Sequence, residues 1–363
     1  MQIYVLISIV LLIILASSAY QKVPTIDQGE IKNKKYFKAN GKLPKIVSFL
    51  ALALLCFLTG ARALNIGNDT ENYAFFFNKI SRVGVTDSLT IEKGYQWFCL
   101  IVSKFVDTAH GFFMVVAIIT YALVGRIIYK YSQNIGFSVV LLFTMFFSAY
   151  TNTIRQGIAM AIVLAAYFLL KNGKWKRALL LVILAFFFHN TAIVGLALFL
   201  YKLVPKKFFS VLSISCIFAL LGISGVMVGI LKVFLVSYSG YLESARVGTG
   251  WLGIAFSFVR AFVFLIIANK AYKGKKEERL PLAVFSCLLI TTSFGFTVNI
   301  FDRIASYFLL ITVVELPNAL NLSKIKHKNF LMFVISAVLI AFFFVILIFR
   351  PEWNRISPYE LWK

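Results

Sequence analysis

Acidic residues are scarce in this sequence: 14 Asp and Glu stand against 37 Lys and Arg, and charged residues of both signs make up only 14% of 363. A globular chain carries about 25%, so a water-soluble surface of ordinary composition is excluded. The four cysteines, Cys56, Cys99, Cys216 and Cys287, lie in separate apolar runs with no CxxC pair. That excludes a disulfide framework and offers neither a zinc site nor a redox pair, leaving buried, inert thiols. There are three histidines. His110 and His327 fall at predicted span boundaries, and His189 has no second His, Cys or carboxylate at ligand spacing, so no metal site is expected. P-loop, GxSxG and GxGxxG patterns are missing, as are internal repeats, low-complexity stretches and any soluble domain.

What is present is apolar. The chain is 60% hydrophobic, with 38 Phe, 16 Tyr and 5 Trp, which one aqueous core cannot bury. An all-α, polytopic integral membrane protein is expected, because helices satisfy every backbone polar group within the bilayer. Spans of about 20 residues fall near 3–20, 45–61, 109–129, 135–151, 156–170, 208–236, 251–269, 280–299, 304–322 and 328–349. The first has no Lys or Arg before it and precedes the most basic loop, contrary to a cleaved signal peptide. All five tryptophans, Trp97, Trp175, Trp251, Trp353 and Trp362, sit at or just beyond span ends, where an amphipathic ring is best solvated.

The net charge of +23 reports orientation and gives no ground for a nucleic-acid partner. Six hydrophilic breaks hold 24 of the 37 basic residues, and only Asp27, Glu30, Glu277 and Glu278 among the acids share them. This is the positive-inside pattern, and it places both termini outside. The stretch Ala178 to Tyr201 has basic clusters on both flanks. It reads either as a re-entrant pair of half-helices with its apex near His189 and Asn190, or as one ordinary span that forces 208–236 to cross twice. Ten and twelve spans follow respectively, and the first reading is preferred.

The outward segment 62–108 is the most polar. Tyr73, Phe76, Phe77 and Ile80, then Phe98, Ile101, Val102 and Phe105, recur at i, i+3, i+4, i+7 and predict two interfacial helices. They bring Asp69, Glu71 and Glu92 to the outer surface. At about 1.5 Å per residue from the cytoplasmic boundary, Arg62, Arg155 and Arg303 lie at roughly 26, 24 and 31 Å. Arg260 lies near mid-membrane at roughly 15 Å. A single such arginine often snorkels to headgroups; the set of four points to a shared site for a lipid diphosphate, since guanidinium binds phosphate bidentately. His189, alone in an apolar run, reads equally as a packing residue bonded to a neighbouring helix.

Gly60-Ala61-Arg62, Gly67-Asn68-Asp69-Thr70-Glu71-Asn72-Tyr73 and Glu92-Lys93-Gly94-Tyr95 resemble the motifs of the EpsG family of Wzy-like polysaccharide polymerases. Further pieces follow in the family's order: Arg155-Gln156, Phe188-His189-Asn190-Thr191-Ala192, Arg303 with Tyr307 and Pro317, and Ser357-Pro358-Tyr359. The resemblance runs from about residue 60 to the C-terminus. It implies a metal-independent, cofactor-free glycosyltransferase that joins undecaprenyl-diphosphate-linked oligosaccharide repeat units at the outer face of the bacterial cytoplasmic membrane. O-antigen, capsule and exopolysaccharide are all compatible products, and a chain-length regulator and a flippase are the expected protein partners. Arg62, Arg155, Arg260 and Arg303 would hold the diphosphate, and Tyr73, Gln156 and Tyr307 the glycan. For the base that deprotonates the acceptor hydroxyl the order is Asp69, Glu92, His189, with Glu71 lower. Two other classes remain: a lipid-linked oligosaccharide flippase, for which Gly222 to Gly229 would supply a broken helix, and a non-catalytic assembly protein.

Overall fold

The computed structural model describes residues 2–19, 42–203, 208–224, 226, 251–272, 278–298, 300–323 and 325–362. Most of the basic loop between Lys22 and Lys45, Lys206, Lys207, the Gly229 end of the glycine break and the far half of the expected 208–236 span lie outside these residues. The described chain is all-helical: α1 (Gln2–Ala19), α2 (Lys42–Gly60), α3 (Thr70–Val83), α4 (Lys93–Val102), α5 (Ala109–Tyr131), α6 (Ile135–Asn152), α7 (Ile154–Lys171) and α8 (Trp175–Phe188). A 3₁₀ segment (Asn190–Leu203) follows, then α9 (Phe208–Ser224), α10 (Trp251–Tyr272), α11 (Arg279–Phe294), α12 (Ile300–Leu322) and α13 (Lys328–Phe349). Among the described residues six helices, α2, α5, α6, α7, α10 and α13, are long and apolar enough to cross a membrane, and α1, the 3₁₀ segment, α9 and α11 contribute shorter apolar stretches. This is a polytopic membrane protein.

The chain forms two compact units. The first comprises 1–165, 183–190 and 326–363. Its centre is α6, packed by α1, α2, α5 and α13; its sequence is apolar all round, and nearly every side is buried, as an inner helix requires. In contrast, α13 buries only a stripe, Met332, Ser336, Leu339, Ile340, Phe343 and Leu347, and leaves Phe330, Val338 and Ile348 exposed on a surface suited to lipid. Side-chain caps fix two starts: Thr108 Oγ1 accepts from Gly111 N at 3.1 Å and Asn134 Oδ1 from Phe137 N at 2.9 Å, satisfying N–H groups that the first turn leaves open.

The C-terminal residues strap the turn between α2 and α3. Ala63 N donates to Glu360 O at 3.0 Å, Trp362 N to Ala61 O at 3.0 Å and Gly67 N to Arg355 O at 2.9 Å; Tyr4 OH holds Ile356 O at 2.7 Å. The face of α4 that packs on the protein is Tyr95, Gln96, Cys99 and Val102, while Ile101 and Phe105 of the interfacial stripe are 58% and 84% exposed, as residues of a helix lying on a membrane surface would be. Gln96 turns inward because its amide accepts from Thr86 N at 2.9 Å and donates to Ile91 O at 3.1 Å, closing the preceding loop.

The second unit comprises 166–182 and 191–325, with α11 packed by α9, α10 and α12. Gly222 brings α9 onto α11; a Cβ there would stand 3.0 Å from Phe294 N. At one end Lys171 Nζ lies 3.8 Å from Glu278 and 2.8 Å from the fully buried Glu315, and Arg279 Nη1 donates to Lys202 O at 3.2 Å. Glu278 and Arg279 are neighbours in sequence, so the chain leaves this end after Lys171 and comes back to it at Lys202. The segment between is a hairpin: α8, about 21 Å long at 1.5 Å per residue, then a break at His189, then the 3₁₀ return. Runs of 3₁₀ helix beyond three or four residues are uncommon. Here the buried positions Ala192, Gly195 and Leu198 recur at the period of three that this helix presents to its neighbours.

Candidate functional site

Glu92 precedes the first residue of α4 and makes no side-chain cap. Its carboxylate turns instead to three donors within the first unit. Oε2 pairs with Arg155 Nη1, while Oε1 lies 3.0 Å from His189 Nδ1 and accepts from Asn190 N at 3.1 Å. The side chain of Glu92 is 9% exposed and that of His189 12%. Burial by itself raises the Glu92 pKa, but the His189 hydrogen bond and the Arg155 charge outweigh it and hold the group at about 2. Glu92 is thus an ionised anchor and a feeble base.

Gly94 makes the meeting possible. A Cβ at this position would stand 2.6 Å from both the Cβ and the carbonyl oxygen of Phe187, so only glycine lets the end of α8 close on α4 and deliver His189 and Asn190 to Glu92. The next residue, Tyr95, is fully buried. Its ring and that of Tyr73 each lie 6.0 Å from the Arg155 guanidinium, with the two rings edge to face at 6.1 Å. Burial pushes the Tyr73 phenol up, and the Asp69 carboxylate, one turn earlier, adds to that while Arg155 opposes it. Two atoms of this cluster, Arg155 Nε and His189 Nε2, are buried and make no hydrogen bond. Facing an ionised carboxylate, which only accepts, Nδ1 is the donor of this contact.

Asp69 is half-buried at the start of α3 with no side-chain cap. The turn before it is tight: Gly67 has φ 89°, and a Cβ there would meet Thr70 Oγ1 at 2.8 Å and Thr151 O at 3.2 Å. Arg62 is almost wholly enclosed, at 1% exposure. Its Nη1 donates to Thr59 O, its Nε to Thr70 Oγ1 at 3.2 Å, and the guanidinium lies 4.4 Å from the centre of the Phe113 ring. Gln156 is buried beside Arg155 in sequence.

In the second unit Tyr307 OH lies 3.1 Å from Thr191 Oγ1. Arg303 is exposed on the first turns of α12, and Arg260 Nη2 reaches Ser257 Oγ at 3.4 Å while its Nε has no partner. Thus Glu92, His189, Arg155, Tyr73 and Asp69 are gathered within the first unit, and Arg260, Arg303 and Tyr307 belong to the second. Tyr95 and the backbone N–H of Asn190 were not singled out by sequence; the Glu-x-Gly-aromatic pattern was the available signal for the tyrosine. Among the described residues no group of three His, Cys, Asp or Glu side chains is placed to hold a metal ion.

An all-helical, multi-pass membrane protein with a carboxylate, an imidazole and a guanidinium joined at the break between α8 and the 3₁₀ segment is the class that the fold and these contacts define. The chain belongs to the EpsG family, whose model matches residues 45–361; this is the Wzy-like polymerase family. Membership carries the broad expectation of a polysaccharide-polymerase-like, glycosyltransferase-type function. No curated protein and no solved structure matches the sequence.

Proposed function

We propose that this chain is a metal-independent membrane glycosyltransferase that polymerises undecaprenyl-diphosphate-linked repeat units on the outer face of the bacterial cytoplasmic membrane. The observation that carries this reading is the Glu92–His189 pair, with Nδ1 of the imidazole against the carboxylate and Nε2 left open. In this scheme Nε2 takes the proton of the acceptor hydroxyl. The acceptor oxygen attacks the anomeric carbon of the donor sugar, and the bond to the diphosphate breaks with its electron pair leaving on the phosphate oxygen. Glu92 sets the tautomer and steadies the imidazolium that forms, as a carboxylate does behind other catalytic histidines. Arg155 meets the charge developing on the diphosphate, with Tyr73 and Gln156 toward the glycan.

The depressed pKa of Glu92 supports the imidazole over that carboxylate as base; Asp69 remains the alternative. The enclosure of Arg62 favours a positioning role between α2 and α3 over direct phosphate contact. Reconstitution of the purified chain in liposomes with native lipid-linked repeat unit tests the reading. Longer lipid-linked glycan is the expected product, and transbilayer movement of the unit without elongation would instead establish the flippase.

A further inference from the structure

A small cavity that none of Glu92, Arg155 or His189 lines opens where α2, α5, α6 and α7 meet, walled by Thr59, Arg62, Phe113, Thr120, Tyr121 and Tyr150 together with small apolar side chains. Its free space admits about one water-sized body, far less than a lipid diphosphate requires. Two polar atoms in its walls are buried and have no hydrogen-bond partner: Arg62 Nη2 and the Tyr150 hydroxyl. A third, the Tyr121 hydroxyl, lies 3.1 Å from Thr59 Oγ1, and when the threonine donates, the phenol's own proton is free to turn into the cavity. The walls thus offer a cation and O–H donors. Among the described residues no carboxylate pairs with Arg62.

A buried, unpaired charge is costly, and the Phe113 ring meets only part of that cost. A water molecule would satisfy the donors and leave the charge unbalanced, whereas a small anion does both. We propose that the cavity binds one monovalent halide ion between Arg62 Nη2 and the hydroxyls of Tyr121 and Tyr150. Because Arg62 also ties Thr59 at the end of α2 to Thr70 at the start of α3, the ion steadies the turn from which Asp69 and Tyr73 follow.

The test is thermal unfolding of the purified full chain in sodium chloride, bromide and gluconate at equal ionic strength. Binding to the folded state raises Tm with halide concentration, by about 2 °C at tenfold excess over Kd. Tyr150→Phe, which keeps the ring and removes the hydroxyl, should lose most of that shift, and crystals grown in bromide should show an anomalous peak beside Arg62. Equal Tm in all three salts, or a halide shift that Tyr150→Phe retains in full, overturns the proposal and leaves a bound water as the occupant.

Discussion

His189 Nδ1 and Glu92 Oε1 stand 3.0 Å apart although 97 residues separate them in the chain. One belongs to the break between α8 and the 3₁₀ segment and the other to the start of an outer helix. The contact occupies Nδ1 and leaves Nε2 without a hydrogen-bond partner, and the first prediction follows from it.

With Nε2 as the base, His189→Ala should lower polymer formation in liposomes by about 10² to 10⁴-fold, with protein level and lipid-diphosphate binding retained. Glu92→Gln keeps the shape but can set the wrong tautomer, and a loss of about 10²-fold or more is expected. Near-normal turnover in both variants, with Asp69→Asn inactive, transfers the role to Asp69.

In the proposed mechanism Arg155→Ala removes the charge that meets the leaving group and should cost about 10² to 10³-fold in rate. Arg155→Lys should recover little, because a point charge cannot reproduce the planar fork that spans Glu92 and a phosphate. The exposed Arg82→Ala serves as control; equal activity in the Arg155 and Arg82 variants removes Arg155 from the mechanism.

Glu92 also links stability to pH. Its folded pKa of about 2 lies below the ordinary carboxyl value of about 4.3. The contribution is therefore full above about pH 4.3 and is lost as pH falls through about 2. Tm measured from pH 6 to 3 should drop more steeply in wild type than in Glu92→Gln, which has no proton to gain; parallel curves contradict the assignment.

Gly94→Ala places a methyl group 2.6 Å from Phe187 backbone and side chain. Overpacking of this kind costs about 1 to 3 kcal/mol and should push the hairpin apex off Glu92. Activity should fall more than Tm, as compared by scanning calorimetry and the liposome assay on one preparation. A fully active variant shows that the hairpin tolerates the shift.

A re-entrant path is checked by single cysteines in a cysteine-free background. Lys174→Cys and Lys202→Cys should respond alike to a membrane-impermeant thiol reagent in intact cells, both shielded, while Asp87→Cys labels. Opposite responses at 174 and 202 turn the segment into an ordinary span.

The helices and their lengths were legible in the sequence because hydropathy over about 20 residues is a local quantity; α13 spans Lys328–Phe349, the range read from the sequence alone. The period of three in Ala192, Gly195 and Leu198 was also there to be seen, but a 3₁₀ run of this length is too rare to be expected. The motifs named Glu92, Arg155 and His189 without joining them. Their meeting depends on Gly94 admitting Phe187, a contact between elements far apart in sequence that no local pattern encodes. Depth arithmetic put Arg62 and Arg155 near one level, yet burial separates them: Arg62 is enclosed, with Nη1 on Thr59 and Nε on Thr70, whereas Arg155 is partly exposed and pairs with the Glu92 carboxylate. Sequence determined the membrane class, the family and the candidate residues through composition, periodicity and motif order. Only the tertiary structure decided which of those residues meet, Glu92 with Arg155 and His189, and which are enclosed, as Arg62 is, because that depends on side-chain packing across the fold.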